Sequence, residues 1–254
     1  MAQECFLALD MKDIKDQWAY YFLKAAIGPN QRILDIGCNR GDAIRYLLRL
    51  YPDLKAVEGI DPDEVAILEA RQALEQEFGN SARFSVQTGD GTKLPYADNS
   101  FDRVFCVDVL EWVAKPQCLL AEAHRVLKPG GHALVIHSDF DTQVYWPGDI
   151  NAVRAWVHRF TDIGPDGCLG RRLLGLCRSA SFSSVEPFVY CLVNDAFTEN
   201  SYSFQMAMMM KDWLIRREST WKEPIERWHQ ELTEASAVGS FFYSINRNLC
   251  LCTK

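Results

Sequence analysis

Between residue 32 and about residue 140, short apolar runs alternate with segments whose apolar residues recur every three or four positions. The runs RILDIG, KAVEGID, RFSVQTGD, FDRVFCVDVL and HALVIHSDF have the length and composition of strands. The intervening segments GDAIRYLLRLYP, PDEVAILEARQALEQEFGN and KPQCLLAEAHRVLKPGG predict helices that end at glycine or before proline. This alternation predicts an α/β fold with a doubly wound, mostly parallel sheet.

After residue 140 the pattern becomes irregular. Residues 141–180 are aromatic and rich in turn residues, and they predict an insertion that ends with a helix. A strand is expected near 185–193, a mostly helical stretch from about 203 to 236, and a final strand over 241–253.

Composition narrows the class of protein and of partner. The 254 residues, 48% of them hydrophobic and 24% charged, suit a globular chain with a full core. A formal net charge of -7 argues against nucleic acid as the main partner, because phosphate binding needs concentrated Lys and Arg. We expect no membrane partner, since the N-terminus does not resemble a signal peptide and no apolar run is long enough to span a bilayer.

The cysteine pattern bears on the compartment. The nine cysteines are scattered and include no C-x-x-C motif. We therefore expect reduced thiols, a cytoplasmic location and no metal site.

Several polar residues end or follow the predicted strands. In a doubly wound sheet, the ligand lies beyond the carboxyl ends of the strands. The residues placed along this edge are those of the turn Asp35–Gly41, together with Asp61, Asp90, Asp108 and His137.

The turn after the first strand favours a ligand with a positive charge. Gly37 and Gly41 allow a tight bend, and the following helix offers free N–H groups. The Asp35 carboxylate would repel a pyrophosphate but could hold an ammonium group. The spacing D-x-G-x-N-x-G also differs from the G-x-G-x-x-G of dinucleotide-binding turns. The alternative is that Asp35 only caps the turn.

Two further carboxylates suggest a nucleoside. Asp61 could accept hydrogen bonds from ribose hydroxyls, or it could cap the helix that begins near Pro62, a role that Asp63 could also fill. Asp90 could accept from an adenine amino group while Gly91 leaves room for the ring, or it could be a turn residue. Ribose, adenine and a cationic amino-acid tail together describe S-adenosylmethionine.

The segments ILDIGCNRGDAIRYL, GIDPDEVAI and TGDGTKLPYADNSFDRVFCVDVLEWVAKPQCLLAEAHRVLKPGGHALVI resemble the class I S-adenosylmethionine-dependent methyltransferases, in particular their quinone-biosynthesis-like small-molecule branch. The resemblance covers residues 31–140 and implies a seven-stranded, Rossmann-like sheet with an antiparallel last strand. It implies that the cofactor is bound by Asp35, Gly37, Cys38, Gly41, Asp61, Pro62, Asp90, Gly91, Val107 and Asp108. Asn39 stands where the family usually has a third glycine, and we expect binding to be kept because Asn tolerates left-handed backbone.

The resemblance also divides the chain. We expect one methyltransferase domain over residues 1–254, with a helical lid at 1–30 and a cofactor-binding core at 31–140. Residues 141–180 and 196–238 would then be insertions that form the acceptor pocket.

Methyl transfer needs an acceptor held in line and, for some acceptors, a base. His137 is the candidate base, and Asp139 or Asp141 could orient it or bind the acceptor; the alternative is a structural histidine. Aromatic residues in the lid and the insertion favour a small, partly apolar or aromatic acceptor: Trp18, Tyr21, Phe22, Tyr145, Trp146, Trp156 and Phe160.

Three function classes follow from the sequence. The leading one is methyl transfer to a small metabolite. A nucleic-acid or protein methyltransferase would need a basic groove that the acidic sequence does not indicate. A non-enzymatic binding module with the same fold is the third, and it stays open because of Asn39 and because the alternative for His137 leaves no base.

Overall fold

The structure is a computed structural model that describes residues 12–199 and 201–254. Residues 1–11, which belong to the predicted lid and to the N-terminus judged for a signal peptide, lie outside the described residues. The chain divides into two compact units. The first comprises the residues up to Gln17 with Ser138–Gly170 and Val189–Arg247, and the second comprises Trp18–His137, Arg171–Phe188 and Asn248–Lys254.

The alternating elements that the sequence predicts up to residue 140 are all present. The strands are β1 (Arg32–Ile36), β2 (Ala56–Asp61), β3 (Phe84–Thr88), β4 (Phe101–Val107) and β5 (Leu127–Ser138). The helices are α1 (Lys12–Lys24), α2 (Asp42–Leu50), α3 (Glu64–Phe78) and α4 (Pro116–Val126). Strand β1 pairs in parallel with β2 and β4, β2 with β3, and β4 with β5.

The later α-helices are α5 (Ile150–Ile163), α6 (Leu169–Ser179), α7 (Tyr202–Arg217) and α8 (Lys222–Ala237), and the later strands are β6 (Val144–Trp146), β7 (Ser184–Asn194) and β8 (Phe242–Thr253). Short 3-10 helices lie at Leu110–Trp112, Phe140–Thr142 and Ser219–Trp221. Within the described residues the sheet has eight strands in the order β3-β2-β1-β4-β5-β8-β6, and β7 also pairs with β8. The predicted doubly wound α/β fold with an antiparallel last strand is confirmed. The eighth strand, β6, was not predicted because three residues are too few to show a periodicity.

Local signals explain most of the boundaries. The side chain of Asp63 accepts hydrogen bonds from the N–H groups of Val65 and Ala66 and so caps α3. Helix α4 ends at Val126, before the KPGG sequence, as predicted. Strand β5 nevertheless begins at Leu127, ahead of the predicted run, and Gly130 within it donates its N–H to the carbonyl of Lys254.

The aromatic rings of α1 belong to the core of the second unit. Phe22 is fully buried, and its ring packs 5.6–6.2 Å from the rings of Tyr46, Tyr51 and Phe105. In the first unit, Trp156 packs within an aromatic cluster, with its ring 5.5 Å from that of Trp228. Much of the aromatic content that suggested an apolar acceptor therefore stabilises the core.

Among the helices of the described part of the chain, none is long and apolar enough to cross a membrane. The eight cysteines within it form no disulfide bond.

Candidate functional site

The turn between β1 and α2 adopts the left-handed backbone that its residues allow. Gly37, Asn39 and Gly41 have φ values of 75°, 45° and 77°. Asn39 therefore takes the left-handed conformation that we expected it to tolerate. A Cβ at Gly37 would lie 2.3 Å from Cγ2 of Val109, so only glycine fits at this position.

Asp61 at the end of β2 holds this turn in place. Its Oδ2 accepts the N–H of Asn39 at 2.9 Å, and its Oδ1 accepts the N–H of Asp63 at 3.0 Å. Because Asp63 caps α3, Asp61 is not needed for capping. Both oxygens of Asp61 thus take part in a backbone network at the carboxyl edge of the sheet.

Asp35 lies beside Asp61 and carries an unusual proton affinity. Burial, together with the charge of Asp61, raises the pKa of Asp35 to about 8. At neutral pH the carboxyl is therefore mostly protonated, and a cation placed beside it would favour its ionised form. The raised pKa means that a positive charge near Asp35 would be favourable, so this site suits a ligand that carries an ammonium group.

Next to these carboxylates the second unit contains a cavity of about 370 Å³. Four of the residues predicted to bind the cofactor line it: Gly37, Pro62, Asp90 and Gly91. The other lining residues are Ile36, Ile60, Thr92, Val109, Trp112, Val113, Ala114, Lys115, Cys118 and Leu119. A mostly apolar lining with a few polar groups is typical of a pocket for a small molecule or cofactor.

Gly91 and Asp90 shape one end of this cavity. A Cβ at Gly91 would lie 2.7 Å from Cγ2 of Ile36 and 3.1 Å from Cδ1 of Leu119, two residues of the cavity wall. Asp90 accepts hydrogen bonds at 2.8 Å from both the N–H and the hydroxyl of Thr92. These bonds, the backbone one foremost, lower the pKa of Asp90, so an ionised acceptor lies at the cavity.

Six predicted residues lie outside the cavity lining: Asp35 and Asp61, which are described above, and four others. Cys38 packs against β2, because a Cβ at Gly59 would lie only 2.7 Å from its Sγ. Gly41 faces α3, where a Cβ would lie 3.2 Å from Cβ of Ala70. Val107 ends β4, and Asp108 follows it with φ 54° and donates its N–H to a carbonyl of β5. Direct contact of these four residues with a cofactor stays a prediction.

His137 is fully buried at the end of β5, and its Nε2 lies 2.5 Å from Oε2 of Glu111. Glu111 is not among the residues predicted from the sequence. Its position just after β4, at the edge where strand ends converge, is a signal that could have found it. Asp139 belongs to the first unit, where its side chain accepts the N–H of Asp141 at 3.3 Å. The roles of His137 as base and of Asp139 in acceptor binding stay predictions.

Comparison with known proteins shows which family the segment around this cavity resembles. The family model described as a methyltransferase domain matches residues 34–135, the segment that holds every residue of the cavity lining. Residues 34–135 are thus similar to the methyltransferase domain of the class I S-adenosylmethionine-dependent methyltransferases. S-adenosylmethionine is the cofactor of this family, and the resemblance and fold class that the sequence indicated are confirmed.

Two curated relatives show how far the likeness reaches. An uncharacterised 37.1 kDa transposon protein of Streptomyces fradiae is 34% identical over 156 residues, which is 61% of this chain and 44% of that protein. The ubiquinone/menaquinone biosynthesis C-methyltransferase UbiE of Dinoroseobacter shibae is 38% identical over 106 residues, 42% of each chain. The chain thus spans less than half the length of these relatives.

Solved structures share the fold of this chain. A candidate methyltransferase of Bacillus halodurans matches with a TM-score of 0.62 at 18% identity, covering 94% of this chain and 99% of that one. The [4+2]-cyclase SpnF matches with a TM-score of 0.56 at 21% identity, covering 92% and 80%. Since one of these neighbours is described as a cyclase, the fold alone does not fix the reaction.

The methyltransferase cofactor fits the residues present. The apolar cavity, with ionised Asp90 at its wall, can take a purine ring and its amino group. Asp35 directly precedes the lining residue Ile36 in the sequence, and Asp61 directly precedes the lining residue Pro62. The raised pKa of Asp35 shows that a positive charge beside this pair would be favourable. An apolar slot beside two carboxylates matches a ligand with a nucleoside and a cationic tail.

Proposed function

We propose that this protein transfers a methyl group from S-adenosylmethionine to a small, partly apolar or aromatic metabolite. The observation that carries the proposal is the cavity at the carboxyl edge of β1 and β2, within the segment that matches the methyltransferase family. The coupled carboxylates beside it support a cationic cofactor rather than a dinucleotide.

In this proposal each part of the cofactor has its own residues. The adenine ring lies in the cavity near Gly91, with its amino group on Asp90. The ribose hydroxyls lie on Asp61, and the ammonium group lies by Asp35. Support comes from the burial of Asp35, from the place of Asp90 and Gly91 in the cavity wall, and from the resemblance of the motifs.

The cofactor supplies a methyl group on a sulfonium, which is already a strong electrophile. The chain then has to hold the acceptor in line and exclude water. For an acceptor that must lose a proton, we propose His137 as the base, with Asp139 as an acceptor-binding residue. His137 lies at the carboxyl end of β5, at the same edge of the sheet as the proposed cofactor residues.

A small acceptor is favoured over a macromolecule. The named relatives include the quinone-biosynthesis enzyme and a cycloartenol-C-24-methyltransferase of rice, 29% identical over 119 residues. A net charge of -7 does not favour a nucleic-acid substrate. These points support quinols, phenols and polycyclic lipids as the first acceptors to test.

Calorimetry tests the cofactor site directly. S-adenosylmethionine and S-adenosylhomocysteine should bind the wild type and NAD should not. Asp61→Ala should weaken binding about tenfold or more, on the order of 1.4 kcal/mol. Asp63→Ala is the matched control, because it removes a neighbouring carboxylate whose side chain caps α3 and is not proposed to contact the cofactor.

Turnover is then measured as S-adenosylhomocysteine formed with a panel of quinols, phenols and sterols. Formation of a methylated product supports the proposal, and His137→Ala should abolish it for acceptors that must lose a proton. Absence of cofactor binding by the folded wild type would refute the proposed function.

A further inference from the structure

The segment that follows β4 forms one wall of the cofactor cavity. Val109, Trp112 and Val113 line the cavity, as do the two residues that follow them. Helix α4 begins at Pro116, so this wall is a short connection between a strand and a helix. Its position determines the shape of the space that the cofactor would occupy.

The first half of the wall is firmly packed. Val109 lies against Gly37, as the 2.3 Å approach of a Cβ at Gly37 shows, and Leu110 is buried. The second half is open to solvent, since Trp112 is 56% exposed. Glu111 lies between the two halves, so its side chain is the last buried anchor before the wall reaches α4.

Glu111 is held by His137. Only 6% of the Glu111 side chain and none of the His137 side chain are exposed, and Nε2 lies 2.5 Å from Oε2. When Glu111 is ionised, its carboxylate can only accept, and the imidazole donates this bond through Nε2–H. Separating the carboxylate from the imidazole would break a buried hydrogen bond, and this costs free energy because both groups are buried.

We propose that Glu111 and His137 act together as positioning residues of the cofactor cavity, fixing the wall at residues 109–113 against the bound cofactor. The inference rests on the proposed function and adds a role to His137 that does not depend on the acceptor. The carboxylate and imidazole join the wall after β4 to the end of β5. The wall is thereby ordered before the cofactor arrives, which lowers the entropic cost of binding.

The test measures binding of S-adenosylhomocysteine by calorimetry for the wild type, Glu111→Ala, His137→Ala and the double variant. Each single variant should weaken binding about tenfold, the size expected when one or two side chains must be ordered on binding. The double variant should lose no more than either single one, because both remove the same contact. Glu111→Gln should keep binding within about threefold, since its amide oxygen still accepts from Nε2.

Glu58→Gln is the matched control. It removes the charge of another partly buried ion pair, that of Glu58 with Arg32, whose residues do not line the cavity. It should lower thermal stability without changing the affinity for S-adenosylhomocysteine. A purely structural role of Glu111 would give this same result.

Hydrogen exchange gives a second measurement, which reports directly on the order of the wall. In the wild type the amides of Trp112 and Val113 donate to carbonyls of the wall and should exchange slowly with or without S-adenosylhomocysteine. In Glu111→Ala these amides should exchange faster than in the wild type while amides of the core strands are unchanged, whereas in Glu111→Gln they should stay slow; unchanged exchange in Glu111→Ala would contradict the positioning role.

The outcomes separate the two proposals. If the wild type does not bind S-adenosylhomocysteine, the proposed function fails. If the wild type binds it and the Glu111 and His137 variants bind within twofold of wild type, only the positioning role is overturned. Additive losses in the double variant would also contradict it, because they would mean that the two residues act separately.

Discussion

Binding of the cofactor should release a proton from Asp35. Burial and the charge of Asp61 raise the pKa of this carboxyl to about 8, so about nine-tenths of the molecules carry the proton at pH 7. An ammonium group beside Asp35 would return its pKa to an ordinary value near 4. Binding at pH 7 would then release about 0.9 proton per site.

The same values fix how affinity depends on pH. Only the ionised carboxyl attracts the ammonium, and its fraction rises about ninefold from pH 6 to 7, about fivefold from 7 to 8, and less than twofold from 8 to 9. The association constant for S-adenosylhomocysteine should follow these ratios. In Asp35→Asn, which keeps the shape and cannot ionise, this dependence should be lost.

The assay is titration calorimetry at pH 7 in two buffers that differ in ionisation enthalpy. The difference in observed heat divided by the difference in buffer enthalpy gives the number of protons released. Any titration of the ligand itself is common to wild type and Asp35→Asn and cancels between them. A release below about 0.2 proton in the wild type, or an equal release in both proteins, would refute the reasoning.

Three further predictions follow from the same region. The carboxyl of Asp35 binds its proton more tightly in the folded state than in the unfolded state, so the free energy of unfolding falls as the pH rises from about 4 to 8. Asp35→Asn should therefore have a higher Tm than the wild type at pH 8, and an equal or lower Tm would contradict this. Gly37→Ala should lower the free energy of unfolding by about 1–3 kcal/mol in urea denaturation, because its Cβ would overlap Val109 and its backbone is left-handed; a change below the error of the measurement would count against the tight turn. Cys118 lines the cavity and is exposed, so S-adenosylhomocysteine should slow its alkylation, as measured by mass spectrometry. Cys191, which is exposed but outside the lining, should react at an unchanged rate. Equal rates at Cys118 with and without the ligand would mean that the ligand binds elsewhere.

The sequence predicts the first half of the fold well because the relevant signals are local. Apolar runs and helical periodicity lie within single segments, and the turn after β1 is marked by its own glycines. Strand β6 depends instead on pairing with β8, which lies about 100 residues further along the chain, and the early start of β5 at Leu127 pairs with Phe101 of β4. No local pattern reports such a pairing.

The candidate site shows the same division. The sequence identified Asp35, Asp61 and Asp90 because each ends or follows a strand. It could not tell that Asp63 alone caps α3 or that Asp61 accepts two backbone N–H groups, since both depend on three-dimensional placement. Glu111 was missed for a similar reason, because 26 residues separate it from His137, its partner.

The close packing of Cys38 on Gly59 has a consequence for how this turn can change during evolution. A methyl group at position 59 would meet Sγ of Cys38 at 2.7 Å and Cδ1 of Ile44 at 2.6 Å. The three positions therefore share one fixed volume rather than varying independently. In related chains, an alanine at the position of Gly59 should therefore occur together with smaller residues at the positions of Cys38 and Ile44, because the added methyl group on β2 needs space that these two side chains occupy.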